Sequence, residues 1–189
     1  MNNFKLFVKA NKFPYEITKN YWKFASTAEK IFDFLVPAIL TCIVWYFIKI
    51  MDPEPSTVLK GIKDINSQSL TFISILAGFN VASISVLATA SSKLLENLKK
   101  MESRKHSGTS LFEIMMTFFC ASIILQFFII LVGVMILVIS SVTNLPPDFP
   151  MNIYMWILVM LWIYALITSI FVSIRNLKTL FYILVNNEH

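Results

Sequence analysis

Apolar residues gather into four long runs separated by short polar stretches, at roughly 31–50, 69–90, 114–140 and 153–174. A helix needs about 20 mainly apolar residues to cross a hydrocarbon core about 30 Å thick. Each run therefore predicts a transmembrane helix. The third is the longest and most apolar, so it must tilt or protrude. The second is the least obvious, because Ser74, Gly78, Asn80, Ser83, Ser85, Thr89, Ser91 and Ser92 interrupt it. The predicted fold class is all-α, a polytopic membrane protein with four transmembrane helices and helical extensions outside the bilayer.

Local signals place the helix ends. "STAE" from Ser26 to Glu29 and "SLFE" from Ser110 to Glu113 read as capping boxes, which would start the first and third spans. "DPEP" from Asp52 to Pro55 stops the first span, since proline lacks a donor and clashes with the preceding turn. "LPPDFP" from Leu145 to Pro150 makes a short turn, with Pro150 suited to the first position of span four. One short helix is expected over "TVLKGIKD" in the 51–68 loop. Leu94, Leu98 and Met101 carry a helical stripe past span two, as do Ile174, Leu177, Phe181 and Leu184 past span four. Before span one, Phe4, Phe7 and Val8 alternate with Lys5, Lys9 and Lys12, and Ile17, Tyr21 and Phe24 recur at helical spacing. This reads either as amphipathic helix lying on anionic lipid or as a basic tail that only sets topology.

The polar groups of span two call for an explanation. Ser74, Gly78, Ala82, Ser85, Thr89 and Ser92 fall close to one helical face, with small residues four apart. Lipid tails are as apolar as leucine, so helices in a bilayer associate through close backbone approach and hydrogen bonds. The stripe predicts helix packing or an oligomer interface, with span two as the inner helix and spans three and four facing lipid. The alternative is a polar path through an oligomer, although neither a charged ring nor a carbonyl filter is evident. Asn80, near the middle of the span, needs a partner; Gln126 is one option and the same residue of another subunit is another. Asp33 is expected to stay hydrated near the interface or join the first turn, with pairing to Arg175 or Lys93 as the alternative. Arg175 reads as a snorkelling anchor, His106 as solvated, and Trp22, Trp45, Tyr46, Tyr154 and Trp156 as interfacial aromatics.

Composition agrees with lipid contact. The 189 residues are 57% apolar and 14% charged, with 17 Phe and four Gly, whereas a soluble domain carries about 25% charged residues. Charge then orients the spans. Thirteen of the 16 basic residues lie before span one, between spans two and three, or after span four. Lys and Arg hold short segments on the cytoplasmic side, so both termini and the 91–110 loop are expected there. No cleavable signal is read in the first 30 residues. The resulting layout is a cytoplasmic amphipathic segment over 1–30, a transmembrane domain over 31–174 and a cytoplasmic helical tail over 175–189.

The chemistry expected of this chain is not catalytic. No His lies in a span, no two carboxylates share one, and no GxSxG elbow or phosphate loop occurs. Cys42 and Cys120 have no metal-ligand spacing and read as apolar filler. No cofactor or metal is expected. Lys93, Lys99, Lys100, Arg104, Lys105, Arg175 and Lys178 are the candidate contacts for a partner or for anionic lipid. Direct nucleic-acid binding by the 93–105 segment is disfavoured, because topology already accounts for its charge.

The overall layout is similar to that of KwaA, the membrane subunits of Kiwa bacterial anti-phage defence systems. The likeness rests on four spans, a basic amphipathic start, a Ser/Ala-rich second span ending "SVLATASSKLL" and a cytoplasmic helical extension. It covers most of the chain but no diagnostic motif. It implies a homo-oligomeric, tetrameric sensor of infection in the bacterial inner membrane. That sensor would control a cytoplasmic, DNA-binding, KwaB-like effector. It carries over no catalytic residue. A small ion channel or membrane-permeabilising effector is the competing expectation.

Overall fold

The computed structural model describes residues 11–89, 92–103, 105–143 and 151–185, with the side chains of residues 92–95, 183 and 184 left out. Its elements are α1 (Phe13–Phe24), α2 (Thr27–Met51), α3 (Pro55–Thr89), α4 (Ser92–Lys100), α5 (Leu111–Val142) and α6 (Ile153–Val185). Apart from one isolated bridge between Glu102 and Ser110, the described secondary structure is helical. Helices α2, α3, α5 and α6 are each long and apolar enough to cross a bilayer. The protein is an all-α, multi-pass membrane protein.

The helix ends follow the local chemistry in most places. Ser26 and Glu29 form both halves of a capping box: the Glu29 N–H donates to Ser26 Oγ at 3.3 Å and the Ser26 N–H to Glu29 Oε2 at 2.7 Å. At Ser110 one half is formed, with the Glu113 N–H donating to Ser110 Oγ at 3.2 Å. Helix α2 ends at Asp52, whose φ of 41° is left-handed, and the chain re-enters helix at Pro55. The short helix expected over residues 57–64 is instead the start of α3, which runs unbroken for 35 residues. No Pro lies between Val58 and Thr89 to stop it. The Leu145 to Pro150 turn, Arg104 and the first ten residues lie outside the described part.

Helix α3 packs most extensively on α5, and both contact α6; α2 rests on α6, and α1 on α5. Three apolar clusters mark these contacts. Ile73, Ile129 and Leu166 join α3, α5 and α6. Leu87, Leu98, Met115, Phe119 and Leu180 join the same helices to α4. Tyr21, Phe24, Ala25 and Phe118 seat α1 on α5. Residues expected to touch anionic lipid, Tyr21 and Phe24, thus face protein, and Phe24 also meets the His106 ring at 5.4 Å between centroids. His106 is therefore packed rather than freely solvated. The stripe past span four is largely exposed at Ile174, Leu177 and Phe181, while Leu98 is buried and Met101 exposed past span two. These contacts put α1, the connector after α4 and the C-terminal end of α6 together at one end of the bundle, the basic end.

Toward the other end, α3 and α5 approach closely at Gly133. A Cβ there would lie 2.6 Å from Leu70 Cδ2 and 3.0 Å from Asn66 Oδ1. Asn66 is fully buried and donates from Nδ2 to Gly133 O at 2.9 Å. Gly133→Ala should therefore destabilise by about 1–3 kcal/mol through overpacking, read as a lower melting temperature in detergent. Adding Leu70→Ala should relieve the clash at Leu70, and a melting temperature unchanged by Gly133→Ala alone would show that the Leu70 side chain and the Asn66 amide give way to the added methyl.

Candidate functional site

The densest chemistry lies in a buried polar cluster that links α1 to all four long helices. It begins with an irregularity in α2. Residues Ile31–Leu35 form a π turn, in which the Val36 N–H bonds Ile31 O. Pro37 brings no N–H for the usual partner four residues back, and π turns recur at functional sites. Asp33 sits within this turn at 0% exposure.

Asp33 Oδ2 pairs with Arg175 Nη1 at 2.6 Å and accepts a hydrogen bond from the Tyr21 hydroxyl. Arg175 also donates to Tyr21 Oη at 3.3 Å and to Asn176 Oδ1 at 3.4 Å. Its guanidinium lies 4.3 Å from the centre of the Phe118 ring, a desolvated cation–π geometry. Arg175 is 6% exposed. It is not a snorkelling anchor, and Asp33 is not hydrated at the interface but takes the alternative read from the sequence, the pair with Arg175. Each neutralises the other, which is what permits burial of both. Burial pushes the Tyr21 phenol above its ordinary pKa, and the nearby Asp33 adds to the rise while Arg175 opposes it. Tyr21 therefore keeps its proton and remains the donor to Asp33.

The cluster continues along α6. Asn176 Nδ2 donates to Asn80 Oδ1 at 3.3 Å and to Phe118 O at 3.4 Å. Asn80 Nδ2 lies within bonding distance of Gln126 Oε1 (3.1 Å), Ser122 Oγ (3.2 Å), Ser173 Oγ (3.3 Å) and Leu76 O (3.1 Å). Gln126 Nε2 donates to Ser173 Oγ at 2.8 Å. The pairing of Asn80 with Gln126 read from the sequence is present within one chain. An amide nitrogen has two protons, so Asn80 cannot satisfy four acceptors at once. It has alternative partners on α5 and α6. Asp33 Oδ1, Arg175 Nε, Thr168 Oγ1 and Ser169 Oγ are buried without a partner among the described residues, which leave the cluster incompletely satisfied.

The small-residue stripe lies elsewhere. Helix α3 buries Ile73, Ala77, Asn80, Ser83 and Leu87, whereas Ser74, Gly78, Ala82, Ser85 and Thr89 are exposed. These lie one or two residues on, and one residue is about 100° around the helix. Ser74 donates to Leu70 O, Ser85 to Val81 O and Thr89 to Ser85 O. Nothing lies within 4 Å of a Cβ added at Gly78. Packing of the stripe within its own chain is thus corrected: Ile73, Ala77, Asn80, Ser83 and Leu87 make that contact, and the stripe faces outward. Helices α5 and α6 bury as well as face lipid. The side chain of Ser92 lies outside the described part.

Among the proposed contact residues, Lys99, Lys100, Lys105 and Lys178 are exposed, and Lys100 bonds Glu96 at 2.8 Å along α4. The Lys93 side chain and Arg104 lie outside the described part. Sequence reasoning missed Tyr21, Ser122, Ser173 and Asn176 as members of the cluster. Ser169, Ser173 and Asn176 recur at i, i+4 and i+7, and Ser122 and Gln126 at i and i+4, so their spacing was available as a signal. No group of three or more His, Cys, Asp or Glu side chains suited to a metal occurs among the described residues. No family model, curated protein or solved structure matches the chain.

Proposed function

We propose that this protein is an inner-membrane sensor and scaffold that passes a change at the envelope to a soluble cytoplasmic effector. Both termini and the 91–110 connector lie in the cytoplasm on this reading, as the distribution of Lys and Arg favours. The observation that carries it is the Asp33–Arg175 pair. It ties α1 and α2 to α6 at the basic end, and Asn176 joins it to Asn80 deeper in the bundle. A shift of any long helix would have to rearrange this cluster, and Asn80 has spare acceptors with which to do so. Coupling needs such an element with more than one arrangement. The outward stripe on α3 is where copies of the chain would meet, since small residues permit close approach. Anionic lipid would meet the basic end. The layout resembling Kiwa membrane subunits supplies the class of effector, a DNA-binding protein acting against phage.

A channel has weaker support. The hydroxyls of Ser74, Ser85 and Thr89 donate their protons to their own backbone, which leaves no donor for an anion, and the sequence shows neither the charged ring nor the carbonyl filter that a cation path uses.

The test is co-expression with a cytoplasmic DNA-binding protein encoded beside this chain. The two are expected to co-purify and to protect cells from phage. Lys99→Glu with Lys100→Glu and Lys105→Glu should abolish co-purification and protection while leaving the protein in the membrane. Ion flux through liposomes of the purified protein, lost on Ser85→Leu, would instead establish the channel and overturn the scaffold.

A further inference from the structure

Helix α1 has one apolar face and two surfaces that could cover it. Phe13, Ile17, Tyr21 and Phe24 fall within about 80° of arc at 3.6 residues per turn. Lys19 and Lys23 lie on the far side, with Lys12 at the N-cap. We propose that α1 is a strap that exchanges this apolar face between the bundle and the surface of an anionic bilayer. The inference depends on the chain spanning a bilayer and is independent of any effector.

The docked state is held mainly at one end of α1. Phe24 meets His106 and Tyr21 meets Phe118, so α1 runs back along α5 from the basic end. Tyr21 and Phe24 are buried and Ile17 is half-buried, but Phe13, on the same face, is 55% exposed. Past Tyr21 the packing opens. A groove of about 310 Å³ is lined there by Thr18 and Trp22 of α1 and by Ala121, Ile124 and Phe128 of α5. Trp22 stacks on Phe34 at 5.0 Å between centroids and is still 49% exposed. The polar attachment is the Tyr21 hydroxyl, which donates to Asp33 and accepts from Arg175.

The joint between α1 and α2 permits the exchange. Ala25 and Ser26 are extended, with ψ of 128° and 163°. The Ser26–Glu29 capping box closes the start of α2 on itself, so α2 keeps its first turn when α1 leaves. Asp33 and Arg175 pair directly at 2.6 Å, so the pair does not depend on Tyr21. Release of α1 therefore uncovers this pair and leaves the four long helices in place.

Charge selects the second partner. Lys12, Lys19 and Lys23 are exposed and form no ion pair among the described residues, and α1 carries one acidic residue, Glu16. An apolar face backed by lysines fits the boundary between headgroups and acyl chains. Phe13, Ile17, Tyr21 and Phe24 would exchange one apolar setting for another, since lipid tails are as apolar as leucine. Each lysine near anionic lipid strengthens binding about fivefold. Three lysines set against Glu16 are enough to compete with the one charge-assisted hydrogen bond from Tyr21, which holds α1 by roughly tenfold.

The test uses the full-length protein in nanodiscs of phosphatidylcholine, with or without phosphatidylglycerol. Spin labels are placed at Tyr15→Cys and Phe128→Cys, both exposed positions, with Cys42→Ala and Cys120→Ala. Double electron–electron resonance should give one short distance in phosphatidylcholine and a second, longer one when phosphatidylglycerol is present. Tyr21→Phe keeps the apolar face and removes the hydroxyl, so it should raise the released-to-docked ratio about tenfold. Lys12→Gln, Lys19→Gln and Lys23→Gln together should abolish the longer distance. Identical distances in the two lipids, or a longer distance that survives loss of the three lysines, would overturn the strap. A Tyr21→Phe variant with a lower melting temperature and an unchanged distance distribution would make Tyr21 purely structural and overturn it as well. No effector takes part, so this result stands or falls separately from the scaffold role.

Discussion

Replacing Arg175 with Met while Asp33 remains is expected to cost about 3–5 kcal/mol, because it leaves a buried carboxylate without its counter-charge. Asp33 is fully buried, so water cannot take the place of the guanidinium. Tyr21 would remain as a donor, but one neutral hydroxyl does not compensate a charge. Asp33→Leu combined with Arg175→Met should recover most of the loss, since an apolar pair of similar size removes both desolvation penalties. Arg175→Lys should fall in between, because an ammonium keeps the charge but loses the planar fork that reaches Asp33, Tyr21 and Asn176 together. The measurement is a set of unfolding curves in one detergent, completed as a double-mutant cycle. A double variant as unstable as Arg175→Met alone would show that the pair is not the source of the effect. The same series bears on α1. Tyr21 is held by the charge pair and by the Phe118 ring, at 5.7 Å between centroids. Loss of the pair should therefore raise proteolysis within Phe13–Phe24 before the long helices are cut.

The sequence discloses the spans far better than it discloses their faces. Run length alone located all four long helices, and the Ser26 box and the Asp52 stop followed from local hydrogen bonding. The pairing of Asn80 with Gln126 was also legible, because a buried amide must find a partner. The facing of α3 was not. Ser74, Gly78 and Ser85 form a stripe of small residues, and such a stripe indicates close approach without saying to what. Hydrophobicity cannot arbitrate in a chain bound by lipid, since Ile73 in the bundle and Ile75 outside it are equally at home. Asp33 was misplaced for a different reason. Its position near an interface made hydration the simpler expectation, and no periodicity reveals a π turn. Pro37, four residues on, was the one available hint. The pair with Arg175, 142 positions away in the chain, is the alternative to hydration that the sequence offers and the one the structure forms, but charge alone could not rank Arg175 above Lys93 or above water.

Asn80→Leu is the second large expected effect, a loss of about 2–3 kcal/mol. Interhelical hydrogen bonds in membranes average about 0.6 kcal/mol and reach about 1.7 kcal/mol, so a single lost bond would be modest. Asn80 joins α3 to both Gln126 on α5 and Asn176 on α6. Its removal leaves Gln126 Oε1 without that donor and takes from Asn176 Nδ2 its shorter acceptor, in a space closed to water. Gln126→Leu added to Asn80→Leu should cost less than the sum of the single changes, because the second substitution removes a group that the first had stranded. Strict additivity would mean that the two amides act independently and would remove the cluster as a coupled element. Ser85→Leu provides the contrast. Its hydroxyl already bonds Val81 O and its side chain points away from the bundle, so the stability of a single chain should change by no more than about 0.5 kcal/mol. A change at Ser85 that appears only at high protein concentration would then report on contact between copies, and the effect at Asn80 on the coupling within one chain.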